Sequence, residues 1–340
     1  MSSADPALRK RLYAAKLAAL VRGRWGSVVD AAKPVPFPPG AALAGGGQLW
    51  TLAEEGPERS LGAALLLAHR HGAQHLHLLA GAATGMLARR ATVFRLPVTV
   101  WTVEGTSLVE AMPDEIPHEP PLPRVSEPFR LLIHRAGAEP VVEGGLLRAE
   151  VRGLEVGRVE VDETGAHLAV GVGKHDREAK RIVHGDDQGW PELFEAVQFV
   201  SERRVPGGEG SPAYHLAPER WLRSIVVDLP SLVGAARLTP VPPPVARDDL
   251  RQIVPAPAAG EDGEGGPLLV LCSVGIDVDL VPTAADAWLA DDRRPRLVLC
   301  VPEGDDHPAL HELASLLRPP AEIVTVATQW REVGMPTHQE

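Results

Sequence analysis

Ser273-Val274-Gly275-Ile276-Asp277-Val278-Asp279 places a hydroxyl, a glycine and two carboxylates within one short segment. Carboxylates two residues apart beside a hydroxyl can share a divalent cation or meet a ribose. Glu303-Gly304-Asp305-Asp306-His307 adds further acids and an imidazole. A fold that brings both segments to one edge makes an oxygen-rich pocket suited to a hard metal. Ser273, Gly275, Asp277 and Asp279 are therefore the expected ligand-binding residues, and Asp277, Asp279, Glu303 and Asp305 the expected metal ligands, with a divalent cation as the cofactor. The competing explanation is structural: Asp279 and Asp306 fall where helix N-caps are wanted, and Asp305 is simply solvated.

A second candidate lies in the middle of the chain. Glu155 precedes a hairpin that ends at Lys174. An acid on one strand and a lysine on the next can hold Mg²⁺ beside a catalytic amine, the arrangement of nuclease cores of the restriction-enzyme type. The acid two residues before the lysine is missing, since Val172 stands there, and Asp176 or Glu178 would act from the wrong side. His75 and His77 alternate on a strand and share a face, yet no Cys or Glu lies at a spacing that completes a zinc site. His307 and His311 lack the Glu that follows the first histidine of a zinc-protease helix.

Nucleotide fingerprints are absent. The first strand is followed by Glu54-Glu55-Gly56-Pro57, with no Gly-x-Gly-x-x-Gly and no eight-residue phosphate loop. Gly171-Val172-Gly173-Lys174-His175 lacks the upstream glycine spacing and the hydroxyl after the lysine. No serine sits in a Gly-x-Ser-x-Gly frame. Cys272 and Cys300 lie inside apolar runs and read as small buried hydrophobes.

The elements that must position these residues are marked by proline and glycine. Residues 1–33 read as an N-terminal basic amphipathic helix with Leu8, Leu12, Ala15 and Ala19 as its apolar stripe, docked with its charges in water. Residues 34–47 read as a stiff Pro/Gly-rich connector, 114–128 as a Pro-rich linker and 239–267 as a Pro/Gly/acidic linker whose last part has the composition of disorder. Residues 48–113 and 268–332 each repeat strand, helix, strand, helix, strand. Short apolar strands alternating with helices imply parallel pairing, because each return crosses over through a helix. Residues 129–236 read as an α+β block, with antiparallel strands at about 129–134, 146–151, 154–161 and 167–172 before three helices. The expected fold is thus α/β: two Rossmann-like β-α-β-α-β units with parallel sheets, flanking a central block with antiparallel strands. The pattern leaves open whether the two units form one sheet or two.

Composition bounds the function. The chain has 340 residues, 44% of them hydrophobic, ordinary for a globular protein. A formal net charge of −11 argues against coating nucleic acid. No apolar run is long enough to span a membrane and no signal-peptide core opens the chain, so a cytoplasmic setting is expected. The seven tryptophans are scattered and read as anchors of core and interface. The leading expectation is a small-ligand-binding or scaffold protein with its site outside the carboxyl ends of the parallel strands, the ligand anionic or metal-bridged. Two alternatives stand beside it: a Mg²⁺-dependent nucleic-acid or phosphoester-processing enzyme built on the central block, and a partner-binding structural protein with no catalytic site.

Overall fold

The computed structural model describes residues 5–26, 31–163, 165–184, 189–245 and 252–333. In chain order the elements begin with α1 (Pro6–Trp25), β1 (Lys33–Val35), β2 (Gly40–Gly45), β3 (Gln48–Ala53), α2 (Leu61–Arg70), β4 (His75–Ala80), α3 (Thr84–Ala91), β5 (Val98–Glu104) and β6 (Ser107–Glu110). Next come α4 (Phe129–Arg135), β7 (Glu139–Glu143), β8 (Leu146–Val151), β9 (Leu154–Asp162), β10 (Gly165–Val170), α5 (Gly173–His184), α6 (Trp190–Ser201), α7 (Pro212–His215) and α8 (Pro218–Asp228). The chain continues through β11 (Ala235–Pro240), β12 (Ala256–Asp262), β13 (Pro267–Cys272), α9 (Leu280–Leu289), β14 (Arg296–Pro302), α10 (Pro308–Ser315) and β15 (Glu322–Val326).

The fold is mixed α/β with three sheets. The first has the order β1-β2-β3-β4-β5-β6, the second β10-β9-β8-β7 and the third β11-β12-β13-β14-β15. Strands β3, β4 and β5 pair in parallel, as do β13, β14 and β15. The two parallel runs lie in separate sheets, each extended by antiparallel strands. The second sheet is antiparallel throughout.

Several expected boundaries need correction. The segment 34–47 is not a free connector: Ala41, Ala42 and Leu43 are buried, and β2 pairs with β3 across a Gly46-Gly47 turn with positive φ at both residues. The segment 239–267 is linker only in part: residues 239–240 end β11, 256–262 form β12 and 267 begins β13. Ala256 and Ala258 are buried in β12 between β11 and β13, and the acidic, glycine-rich stretch is the far end of that strand and its hairpin turn. Residues 246–251 of that segment lie outside the described residues. Residues 129–134 form α4 instead of a strand, because Phe129, Leu132, Ile133 and Ala136 share a helical face on the central core. On α1 the apolar stripe is also different. Leu8, Leu12, Ala15 and Ala19 are exposed, whereas Leu17, Leu20 and Val21 are buried. The buried set carries more apolar area than a stripe half made of alanine.

The chain divides into two compact units. One comprises Met1–Ile116, Asp277–Leu289 and His307–Ala321; the other comprises Pro117–Ile276, Ala290–Asp306 and Glu322–Glu340. Helices α9 and α10 therefore belong to the first unit, although the strands they connect belong to the second. In the first unit α1 lies on β2, β3 and β6, with Leu17, Leu20 and Val21 against Trp50, Leu52, Leu79 and Trp101. Buried ion pairs tie α3 to α9: Arg89 donates to both oxygens of Asp286 at 2.9 and 3.2 Å, and Arg90 Nε donates to the same carboxylate at 2.7 Å.

In the second unit α8 is buried on nearly every side. Trp221, Leu222, Ile225 and Val226 join the core of the five-stranded sheet. Arg220 and Arg223 turn to the antiparallel sheet, where Arg220 donates to Glu150 at 2.8 Å and to Glu143 at 2.5 Å, and Arg223 donates to Glu150 at 2.5 Å. The tight turn that admits α8 needs a glycine. Gly153 has φ +74, and a Cβ there would lie 2.3 Å from the Arg220 carbonyl carbon.

Candidate functional site

Ligands of open parallel sheets bind outside the carboxyl ends of the strands. In the second unit that edge is formed by the residues after β13, β14 and β15. The ladder runs one residue past β13, where the Ser273 N–H donates to Cys300 O at 3.0 Å. Ser273 is wholly buried and its hydroxyl has no partner among the described residues. Native proteins rarely leave a buried hydroxyl unmatched, since this costs about 1–3 kcal/mol. Gly275 follows with φ +86, and its N–H donates to Asp305 Oδ2 at 2.7 Å, joining the loop after β13 to the one after β14. Glu303 is exposed.

Arg331, just after β15, completes this edge. Its guanidinium lies over Trp330 at 4.2 Å and Tyr214 at 5.1 Å. Its Nε is buried without a partner among the described residues. Burial pulls its pKa down, opposed by Tyr214, Asp305 and Glu209. Burial pushes the Tyr214 phenol up. The site expected outside the carboxyl ends of the parallel strands takes in the segment after β15, but no sequence signal singled out Arg331 or Tyr214. Their pairing joins residues more than a hundred positions apart, and no local spacing announces it.

Asp277 and Asp279 belong to the first unit. Asp277 accepts from Arg59 at 2.8 Å, and its other oxygen takes the Asp279 N–H at 2.9 Å. Asp279 is buried, with Arg90 Nη1 at 3.4 Å, and the Gly62 backbone N–H favours its charged form. Burial pushes its carboxyl up to about 7 despite the pull of Arg90. Gly62 permits this approach, because a Cβ there would sit 2.0 Å from Val278 O. These contacts tie the 277–279 loop to the start of α2. Helix α10 takes its cap from His307, whose Nδ1 accepts from the Ala309 N–H at 3.1 Å, and not from Asp306. Among the described residues no group of three or more His, Cys, Asp or Glu side chains is placed to hold a metal ion.

Glu155 is buried under three guanidiniums. Its Oε1 accepts from Arg158 at 2.7 Å and Arg177 at 2.9 Å, and its Oε2 from Arg148. Burial raises the carboxyl pKa, but the three arginines outweigh it and hold the group below the usual range. Lys174 instead stands in solvent with Glu178 at 3.8 Å. Its side chain is 78% exposed, so it is not held beside the buried carboxylate as a catalytic lysine would be.

His75 and His77 do share a face, and their rings stack at 4.4 Å. His75 Nε2 meets Thr99 Oγ1 at 2.9 Å, and His77 is enclosed by Trp25, Trp50 and Trp101. Cys272 and Cys300 are free and buried. No helix of the described residues is long and apolar enough to cross a membrane. The chain is thus a mixed α/β protein with a polar edge on its five-stranded sheet. No family model, no curated protein and no solved structure matches it.

Proposed function

We propose that this protein binds a small polar ligand at the carboxyl edge of β13, β14 and β15, with Ser273, Gly275, Asp305 and Arg331 as the contacting residues. The observation that carries the reading is the buried, unpartnered Ser273 hydroxyl, an unmet hydrogen bond at the edge where such sheets hold ligands. Arg331 Nε, also buried and unmatched, supplies a second donor there. The test is a thermal-shift and calorimetric panel of nucleosides, nucleotides and small dicarboxylates. A ligand at about 100 times its dissociation constant adds about 2.7 kcal/mol of stability. A shift present in the wild type and lost in both Ser273→Ala and Arg331→Met is the expected result. A shift that survives both substitutions moves the site elsewhere.

The partner-binding reading draws on a different observation. Leu8 and Leu12 are exposed on α1, and Trp190 stacks on Phe194 at 4.8 Å on the exposed face of α6. Photo-crosslinkers placed at 12 and 190 that capture no second polypeptide in cells would remove it. The phosphoester-processing reading draws no support from Glu155 and Lys174.

A further inference from the structure

Strands β8 and β9 set like charges opposite each other. Arg148 faces Arg158 in the register, and past a bulge at Ala149/Glu150 the next pair is Glu150 with Glu155. Like charges directly opposite are unfavourable unless each is answered from elsewhere. The acidic pair is answered: Glu150 takes Arg220 and Arg223 from α8, and Glu155 takes the arginines. The basic pair is joined by Arg177 from α5, and these three guanidiniums share the single Glu155 carboxylate. Arg148 also lies 3.8 Å from Glu143, but that oxygen already accepts from Arg220 at 2.5 Å. The remaining acid acting on Arg177 is Glu160, whose side chain is 40% exposed.

The donor count repeats this imbalance. Arg158 uses only Nε and Arg177 only Nη1. Arg158 Nη1 and Nη2, and Arg177 Nε and Nη2, have no protein acceptor among the described residues, although the side chains are only 22% and 10% exposed. A guanidinium presents its donors as a planar fork that matches two oxygens of one phosphate. The buried carboxylate accepts from all three forks, and the unused nitrogens of Arg158 and Arg177 are not among the fully buried atoms.

We infer that Arg148, Arg158 and Arg177, oriented by Glu155, form a binding site for a phosphate group, borne by a small monoester or by free phosphate. Glu155 is the positioning residue and the arginines are the ligand contacts. The site does not depend on the proposed edge site at Ser273.

The test is titration calorimetry of the full chain with inorganic phosphate and with a nucleoside monophosphate, ionic strength held constant with sodium chloride. Saturable binding is expected, at least about tenfold weaker in Arg158→Ala and Arg177→Gln. Ser273→Ala leaves it unchanged, which separates this site from the edge site. Tighter binding of the monophosphate identifies a monoester ligand, and equal binding identifies the phosphate group alone. Glu155→Gln leaves three guanidiniums without their carboxylate. Its melting temperature should therefore rise more with phosphate than that of the wild type, and more than with chloride at equal ionic strength. The inference is overturned if wild-type protein gives no saturable heat with either compound. Equal affinity in folded Arg158→Ala and Arg177→Gln would overturn it as well.

Discussion

The indole Nε1 of Trp101 donates to Nδ1 of His77 at 3.3 Å, which fixes the tautomer of a buried histidine. With Nδ1 accepting, the proton sits on Nε2, which donates to Gln48 Oε1 at 3.2 Å. Both ring nitrogens are thus satisfied in the neutral form, and a second proton would break the bond to Trp101. Burial, with the neighbouring His75, pulls the His77 pKa down to about 4.

This relationship predicts acid sensitivity in the first unit. A histidine whose pKa is lower folded than unfolded stabilises the fold above its unfolded value near 6.5, and that contribution is lost as pH falls toward 4. The loss is at most about 3 kcal/mol. Urea denaturation at pH 7.5 and pH 4.5 should show a smaller pH-dependent drop for His77→Gln than for the wild type. Equal drops in the two proteins would remove His77 as the cause.

Asp279 predicts the opposite slope. Its carboxyl is raised to about 7, mainly by burial, so the folded state holds its proton while the unfolded state releases it. Stability from this group is present at low pH and lost as pH rises from about 4 to about 7, by at most about 4 kcal/mol. Asp279→Asn should therefore be at least as stable as the wild type at pH 8, because Arg90 keeps Asp286. A marked loss at pH 8 would show that the ion pair with Arg90 outweighs burial.

The charge network under α8 predicts a large effect of a single truncation. Arg220→Ala leaves Glu143 and part of Glu150 without their buried partner, which costs about 3–5 kcal/mol. Arg237→Ala, which removes the exposed pair with Glu261, should leave the denaturation midpoint unchanged. Similar midpoints for the two variants would contradict the buried role of Arg220.

Gly153 predicts a backbone effect at the same joint. Alanine there meets both a left-handed φ of +74 and the Arg220 backbone at 2.3 Å. Gly153→Ala should cost more than the roughly 1 kcal/mol of an unfavourable φ alone, since the turn or α8 must also move. Gly275→Ala has φ +86 but open space around the Cβ, and should show the smaller loss. Chemical denaturation of the two variants side by side checks the order.

Local pattern was enough for the elements whose signal is contained in their own residues. The strand 48–53, the helix 280–289 and the strand 322–326 lie where apolar period and flanking glycine or proline put them. The acidic Gly263–Gly266 segment and Lys33–Val35 misled because a hairpin turn and an edge strand share the composition of a linker, and only a pairing partner distinguishes them. The candidate acids were legible as residues but not as roles. Whether Asp279 meets solvent, a metal or Arg90 depends on a helix almost two hundred positions away. Glu155 was singled out, but its arginines come from β8, β9 and α5, and strand register with one bulge brought them together. Sequence determined the α/β class and the strands and helices of the two β-α-β-α-β runs, because periodicity and capping act within a few residues. Tertiary structure alone decided the separation of the two parallel runs into different sheets, the transfer of α9 and α10 to the first unit, and the partner of every buried charge. Those outcomes depend on burial and pairing between distant segments, which no local spacing encodes.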